Sequence, residues 1–334
     1  MEIYVMKKKF VLTLALVLMV AASLMAATPL EVSGSFKAGY EFTFASAGNS
    51  IDAIENGDEA EVVTLLDFAT DFWKVSFTAN QAVLYHDEAE VKATAEIYLD
   101  KALAEQGVDM GDLAVTLHVG DDVSGSAPTV FADKNDWAAG LSMATAADNF
   151  GVTVKYADLV TVYASVDPAL ADLPMVIGAT FYPVEGVDAA VGYTNDANAI
   201  IGSAKIDVAK LAGLDFAFCV TAEDIYRIDA KTNELNIDAA TTIEGIGLYV
   251  AYQMTPADVS KLAAKASYGT TVGGFGVSAS FKAQMDDLAD IANKTTYTVE
   301  AGANYVMGTV TYALDAAYEV DGDFTLTTSV SMSF

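Results

Sequence analysis

FTLTTSVSMSF, residues 324–334, carries the clearest structural pattern in the chain. Apolar side chains take alternate positions from Phe324 to Phe334, and Thr or Ser fills the positions between them; only Thr328 interrupts the apolar series. Successive side chains of a strand point to opposite faces, so the stretch predicts one apolar and one hydroxyl-bearing face. Such a strand fits a soluble sandwich with its apolar face inward, or a membrane sheet with that face outward.

The same alternation recurs along most of the chain. Gly, Asp, Asn or Pro bounds most of the alternating segments, as expected for strands joined by turns. These segments include residues 113–120, 150–156, 175–182, 187–194, 246–254, 275–282 and 297–306. At about 9–11 residues for a membrane strand, the chain divides into about 16 strands, within a range of about 14–18.

The first 26 residues have the pattern of a secretory signal peptide. Lys7, Lys8 and Lys9 precede an uncharged apolar run at residues 10–27, which ends in small residues. A retained membrane anchor is the alternative, because about 18 apolar residues could just span a bilayer. We therefore expect a signal peptide at residues 1–26 and a single domain at residues 27–334.

The rest of the chain is strongly acidic. The sequence has 17 basic and 46 acidic residues; residues 1–26 hold three Lys and one Glu, which leaves 14 basic and 45 acidic residues in 27–334. Nucleic-acid binding needs a basic surface, so this class of function is excluded. Cys219 is the single cysteine, so no intramolecular disulfide can form. No later apolar run is long enough for a helical membrane span.

A meander of the last three segments places aromatic residues at two heights. With turns at residues 307–308 and 321–323, Tyr297 faces Tyr318, and Tyr318 faces Leu326. The register predicts one aromatic girdle of Tyr297, Tyr318 and Phe324, and another of Tyr305, Tyr312 and Phe334. The ten residues between the girdles span roughly 23 Å at a tilt of about 45°, close to the apolar band of about 25 Å in membrane barrels. We therefore predict an all-β fold, a closed antiparallel transmembrane β-barrel of about 16 strands.

Taken together, these features resemble a Gram-negative outer-membrane β-barrel of the porin type. In that family the last strand ends in an aromatic residue with apolar residues at alternate positions before it. Phe334, Met332 and Val330 match this pattern, and Thr328 departs from it. The resemblance implies location in outer-membrane lipid and recognition of the C-terminal strand by the barrel-assembly machinery, plausibly by edge pairing. It also leaves a homotrimer open.

In such a barrel the polar face would line the pore. Its charges are a mixed set, whereas narrow anion pores use rings of Arg and Lys, so we expect a weak preference for cations. The predicted pore-lining residues are Lys37, Glu41, Lys92, Glu96, Lys155, Lys205, Asp207, Glu300 and Asp315.

One pair of these charges is more specific. The predicted register sets Glu300 opposite Asp315, and like charges directly opposite each other are destabilising. The pair could attract cations in the pore. The alternatives are two solvent-screened carboxylates, or a register that differs by two residues.

Acidic residues also cluster in the predicted loops, at residues 52–61, 121–122 and 286–290. None of these clusters has the ligand spacing and closing Glu of a calcium loop, so solvated loops are favoured over divalent-cation sites. No cofactor is expected.

Catalytic motifs are missing from the sequence. His86 and His118 are the only histidines, and neither lies beside a nucleophile elbow, a zinc-helix motif or a phosphate-binding loop. We expect no enzymatic activity, although some outer-membrane barrels are proteases or lipases.

Three functions remain. The best supported is a diffusion porin, a water-filled channel for small hydrophilic solutes and ions. A surface-exposed structural or adhesive barrel without a transport role is the alternative. A soluble secreted all-β binding protein is the third.

Overall fold

A computed structural model describes residues 31–45, 48–53, 64–79, 91–120, 124–135, 137–138, 140–143, 149–320 and 322–333. Several features predicted above lie outside this described part of the chain. They are the signal peptide at 1–26, His86, the acidic residues 121–122, most of the acidic cluster at 52–61, and Phe334.

The described residues form 19 strands and two short helices. The strands are β1 Glu31–Ala45, β2 Gly48–Ala53, β3 Thr64–Ala69, β4 Trp73–Ala79, β5 Val91–Tyr98, β6 Leu113–Gly120, β7 Asn149–Tyr156, β8 Val160–Val166, β9 Met175–Val184, β10 Val187–Thr194, β11 Ala199–Asp207, β12 Ala217–Arg227, β13 Thr232–Ile243, β14 Ile246–Met254, β15 Ser260–Val272, β16 Phe275–Met285, β17 Thr295–Met307, β18 Val310–Glu319 and β19 Phe324–Ser333. The helices are α1 Leu99–Ala104 and α2 Val208–Ala212.

All strands belong to one antiparallel sheet in which neighbours along the chain are mostly neighbours in space. Pairing runs in order from β3 to β19. One edge of β1 pairs with β19, from Ser35 opposite Ser333 to Phe44 opposite Phe324. The other edge of β1 pairs with β2 at one end and with β3 at the other. The first and last strands are therefore hydrogen-bonded neighbours.

The predicted number of about 16 strands is wrong, because the sheet contains 19. The prediction assumed strands of membrane length, but β2 to β8 have only six to eight residues each. In addition, β2 and β3 lie end to end beside β1 and share one position. The all-β antiparallel class is as predicted.

The sheet exposes apolar side chains on one face and buries polar side chains on the other, which is the reverse of a soluble protein. Apolar side chains of one face are exposed in the isolated chain, for example Leu314, which is 48% exposed, and Leu248. The other face carries buried polar side chains such as Asn236, which is 2% exposed, and Gln253. We call these the apolar face and the polar face. A large apolar surface left outside marks contact with a partner or a membrane.

The register of the last three strands differs from the prediction by two residues. Tyr318 lies opposite Val299 rather than Tyr297, and opposite Phe324 rather than Leu326. Both turns differ from those predicted. Residues 308–309 join β17 to β18, and before β19 the N–H of Glu319 bonds to the Asp323 carbonyl at 3.1 Å. Gly308 takes the positive φ of 65° that such a tight turn needs. A shift of two residues keeps every side chain on its predicted face, because the strand period is two.

Aromatic residues of the apolar face still gather at both ends of the strands. At one end Phe324 packs on Phe44, with ring centroids 5.8 Å apart, and Phe281 stacks on Tyr297 at 6.0 Å. At the other end Tyr305 lies opposite Tyr312 and packs on Phe275 at 5.0 Å. Small aliphatic residues fill the space between these two groups, as in the Ala301–Ala316 pair.

Connections at one end of the sheet are mostly tight. Two-residue turns join β9 to β10, β13 to β14, β15 to β16 and β17 to β18, whereas α1 and α2 occupy two longer connections at that end. At the opposite end the longest connection covers residues 121–148, between β6 and β7. In the described part of the chain, no helix has both the length and the apolar character that a membrane crossing requires.

The pairing of β1 with β19 can be tested by cross-linking. A variant with Cys219→Ser, Thr43→Cys and Thr325→Cys should form one intramolecular disulfide, because residues 43 and 325 are directly opposed. A control with Ser329→Cys in place of Thr325→Cys puts the second cysteine four residues further along β19 and should stay reduced. Mass spectrometry after mild oxidation distinguishes the two, and equal cross-linking in both variants would contradict the register.

Candidate functional site

The connection between β6 and β7 turns back onto the polar face. We call its described residues, 124–135, 137–138 and 140–143, the inserted segment. Its two legs are held together by backbone bonds, from the N–H of Ala127 to the carbonyl of Leu141 at 2.7 Å and from the N–H of Met143 to that of Gly125 at 2.9 Å. The hydroxyls of Ser126 and Ser142 add a bond of 2.8 Å. The segment is therefore a narrow hairpin-like loop.

An apolar patch on the polar face receives this loop. Val176, Ile201 and Ile225 point to the side that elsewhere carries polar residues, and each is at most 1% exposed. They form one buried cluster with the segment and with Ala199; the segment contributes Ala127, Leu141 and Met143. Burial of this apolar surface attaches the segment to the wall of the sheet.

Two glycines make room for the contact. A Cβ at Gly192 would lie 2.7 Å from the Cβ of Ala127, and a Cβ at Gly178 would lie 2.5 Å from the Cγ of Pro128. Either distance is shorter than side chains tolerate, so an alanine at these positions would push the segment away from the sheet. Glycine permits such close approach because it has no side chain.

Two buried carboxylates fasten the segment further along. The hydroxyl of Thr129 donates to Glu223 Oε2 at 2.6 Å, and the backbone N–H of Lys134 donates to Asp238 Oδ2 at 2.6 Å. Glu223 and Asp238 are 2% and 4% exposed. Hydrogen bonds to a charged acceptor are stronger than neutral ones, and a buried carboxylate requires them.

The far part of the segment reaches the next strands. Asn135 donates from Nδ2 to Gln284 at 3.2 Å and accepts at Oδ1 from the Tyr249 hydroxyl at 3.0 Å. Gln253 donates from Nε2 to the carbonyl of Trp137 at 2.8 Å. On β8 the Tyr163 hydroxyl donates to the Ser124 carbonyl, so the described contacts of the segment extend from β8 to β16. None of them reaches β17, β18, β19 or β1 within the described residues.

All nine predicted pore-lining residues lie at polar-face positions of the register. Lys37 is opposite Ser331, although its side chain is outside the described part. Glu41 accepts from the Thr327 hydroxyl at 3.2 Å. The others are Lys92 and Glu96 on β5, Lys155 on β7, Lys205 and Asp207 on β11, Glu300 on β17 and Asp315 on β18. They are spread around the sheet and do not form one cluster.

Three of the predicted residues are bound to neighbours at the turn-rich end. Lys155 lies 2.8 Å from Asp158 in the turn after β7, and its ammonium holds the pKa of the Asp158 carboxyl below its usual value. Lys205 lies 3.6 Å from Asp188. Asp207 accepts from the N–H of Lys210 at 3.0 Å and caps α2.

Glu300 and Asp315 are not directly opposed. Glu300 faces Ala317, and Asp315 faces Gly302, as in the alternative register weighed above. Glu300 Oε2 instead accepts from Lys265 at 2.5 Å and from the Ser280 hydroxyl at 2.6 Å. Both acids line one cavity of about 390 Å³ on the polar face of β15 to β19. The sequence analysis named both acids but not Lys265, which lies two strands away from Glu300 on β15.

His118 belongs to a small polar network on β5 to β7. Its Nδ1 lies 3.6 Å from Glu96 Oε1, and its Nε2 shares a hydrogen bond of 2.9 Å with the Thr153 hydroxyl. The Tyr98 hydroxyl donates to Glu96 Oε2 at 2.8 Å. Across the described residues, no group of three His, Cys, Asp or Glu side chains is arranged to hold a metal ion.

Comparison with known proteins identifies relatives by structure only. No protein-family model and no curated protein matches this sequence. Two Pseudomonas aeruginosa structures superimpose on 91% of the chain: OpdQ, at 10% identity with 98% of its own chain covered and a TM-score of 0.56, and the outer membrane protein OprD, at 9% identity with 94% covered and a TM-score of 0.55. A triple mutant of the Rh. blastica porin covers 92% of this chain and all of its own, at 11% identity and a TM-score of 0.52. The chain thus has the fold of a porin-type outer-membrane β-barrel, as the resemblance of its sequence to that family predicts.

The attachment of the inserted segment can be tested by hydrogen exchange. Asp238→Ala removes the acceptor of the Lys134 N–H, so exchange at that amide should accelerate about ten- to a hundredfold, since a bond to a charged group stabilises by about 1.5–3 kcal/mol. Asp315→Ala is the control, because this polar-face acid does not contact the segment. Equal protection of the Lys134 amide in wild type and the Asp238 variant would contradict the proposed attachment.

Proposed function

We propose that this chain is an outer-membrane porin, a closed transmembrane β-barrel that lets small hydrophilic solutes and ions diffuse through a water-filled channel. The observation that carries the proposal is that the apolar face of the sheet is exposed, whereas the polar face holds the inserted segment. Lipid would cover the apolar face, and the polar face would surround the channel.

Barrel width supports an open channel. The pairings lead from β1 through β3 and onward to β19, which is again paired with β1. Because β2 shares a position with β3, this ring has 18 positions. Side chains fill the interior of a barrel of about 8 strands, whereas barrels of about 16–18 strands leave an aqueous channel.

The inserted segment would narrow this channel from one side. It lies on β8 to β16, so the passage would run along the opposite wall, which includes β17, β18, β19 and β1. Hydroxyl groups dominate that wall, for example those of Thr325, Thr327 and Ser329 on β19. Hydroxyls exchange hydrogen bonds with water and with polar solutes, which suits passive diffusion.

We propose a weak cation preference for this passage. Glu41, Glu300 and Asp315 lie along its wall, and Lys265 is paired with Glu300. Arg227, the single arginine, donates to Glu234 at 3.3 Å on the wall beneath the segment and is not part of a basic row. Carboxylates that face a pore attract cations.

The remaining expectations from the sequence are part of the same proposal. A signal peptide at residues 1–26 would direct export to the outer membrane of a Gram-negative bacterium. The assembly machinery would bind the strand that ends at Phe334, and a homotrimer is the oligomer that the porin fold suggests. No catalytic role is proposed; the porin fold supports transport.

A structural or adhesive surface barrel is the alternative function. It would need long folded loops outside the membrane. The connections on that side, other than residues 121–148, have at most nine residues where the structure describes them, and the long one turns inward. The loop lengths therefore favour the channel.

Planar-bilayer recording tests the proposal. The chain of residues 27–334 should give discrete conductance steps and, in a KCl gradient, a reversal potential that favours K⁺. Glu300→Gln with Asp315→Asn should move this potential towards zero. Asp258→Asn with Asp287→Asn makes the same charge change in the connections and should leave it unchanged.

Two outcomes would contradict parts of the proposal. A heat-modifiable barrel that gives no conductance steps would favour the structural role. Conductance steps with a reversal potential that is the same in wild type and the Glu300 and Asp315 double variant would remove the cation preference.

A further inference from the structure

The cavity on β15 to β19 is built from two adjacent rows of cross-strand partners. One row runs Ser278, Gly302, Asp315 and Thr327, and the other runs Ser280, Glu300, Ala317 and Thr325. Lys265 and Ser267 of β15 add the remaining polar side chains, and Ala279, Ala301 and Ala316 also line the cavity. Its volume of about 390 Å³ is large enough for a molecule of monosaccharide size.

Gly302 keeps the floor of this cavity open. A Cβ at this position would lie 2.5 Å from Asp315 Oδ1 and 2.9 Å from the Ser278 hydroxyl. The missing side chain therefore allows a carboxylate and a hydroxyl from the two flanking strands to converge on one point. Over the nearby Gly276 and Gly247 a single side chain approaches in this way, from Asn304 and Ser267 respectively. A Cβ at Gly269 would meet only the Val277 carbonyl, at 3.8 Å.

The charged side chains of the cavity determine whether it attracts a cation or an anion. Lys265 is neutralised by Glu300, whose Oε2 it contacts at 2.5 Å. Lys282, the cross-strand neighbour of Lys265, lies outside the cavity lining, and its charge also acts on Glu300. Asp315 makes no hydrogen bond or ion pair with the described residues, so its carboxylate remains available. An available carboxylate beside a neutralised pair attracts a cation and disfavours an anion.

The hydroxyls of the cavity select the rest of the ligand. Ser278 and Thr325 can each donate and accept. Ser267, Ser280 and Thr327 donate to the Gly247 carbonyl, to Glu300 and to Glu41, so their oxygens can accept from a ligand. The described lining contains no aromatic ring on which an uncharged sugar could stack. A ligand is therefore held by its charge and by its own hydroxyl groups.

We infer that this cavity binds a small hydroxylated primary ammonium compound, such as an amino sugar or an amino alcohol. The ammonium group donates to Asp315 and Ser278 above Gly302, and hydroxyls of the ligand bond with Ser280, Thr325 and Thr327. This inference rests on the proposed function in one respect, because solutes would reach the cavity through the channel. Hydroxylated ammonium compounds would then be a class of solute that the channel holds transiently.

Calorimetry on the detergent-solubilised chain tests the site without requiring ion conduction. Glucosamine, in buffer acid enough to protonate its amine, should bind with a dissociation constant on the order of 1 mM. N-acetylglucosamine, which has the same ring without the charge, should bind about tenfold more weakly, and gluconate should not bind. Equal binding of the charged and uncharged sugars, or tighter binding of gluconate, would overturn the inference.

Two substitutions place the binding in this cavity. Asp315→Asn keeps the shape and removes the charge, and should weaken glucosamine binding about tenfold. Gly302→Ala should weaken it similarly, because the new methyl group displaces Asp315 and Ser278; only flexible side-chain ends must move, so the sheet is retained. Gly269→Ala is the matched control and should bind as wild type does.

The outcomes separate this inference from the porin proposal. Binding that is unaffected by Asp315→Asn and by Gly302→Ala in a chain with the wild-type circular dichroism spectrum would overturn the site. Conductance without glucosamine binding would also overturn the site and leave the porin proposal intact. Binding without conductance would support the site and contradict the porin function.

Discussion

Backbone hydrogen bonding between strands is the constraint on which the rest of this structure depends. A sheet with its apolar face in lipid cannot leave an edge unpaired, because no water is present to satisfy the exposed N–H and C=O groups. The ten registered pairs between β1 and β19 meet this requirement for the first and last strands. Once those edges are paired, alternation along each strand sends every second side chain to the polar face, and the polar residues collect there.

The polar face in turn explains how a long connection can lie inside the sheet. Ile201 and Ile225 form a dry patch that matches apolar residues of the inserted segment, and Glu223 and Asp238 accept its polar donors. The segment thus covers part of the polar face, whereas its described residues make no contact with β17, β18, β19 or β1. The cavity around Asp315 lies on β15 to β19, at the border of the covered part. The asymmetry between these two parts of the polar face follows from where the segment is attached.

Much of the fold could be predicted from the sequence, because face assignment depends only on alternation, and a register error of two residues does not change it. The register itself could not be predicted, because it depends on whether Gly308 is the first or the second residue of its two-residue turn. The inserted segment could not be predicted either, because it has no periodicity of its own. The sequence does indicate where it is attached, since Ile201 and Ile225 are apolar at polar-face positions and Gly178 and Gly192 lie nearby. The Lys265–Glu300 contact joins strands that are not adjacent, so it can be predicted only once the register is known.

In the proposed porin, the apolar face meets lipid and the polar face meets water. Spin labels placed singly along β18, residues 310–319, in a Cys219→Ser chain reconstituted in bilayers measure this directly. We expect collision with oxygen to peak at residues 310, 312, 314, 316 and 318, and collision with a water-soluble nickel complex to peak at the residues between them. If accessibility to the two reagents rises and falls together, or shows no period of two, the apolar face does not meet lipid.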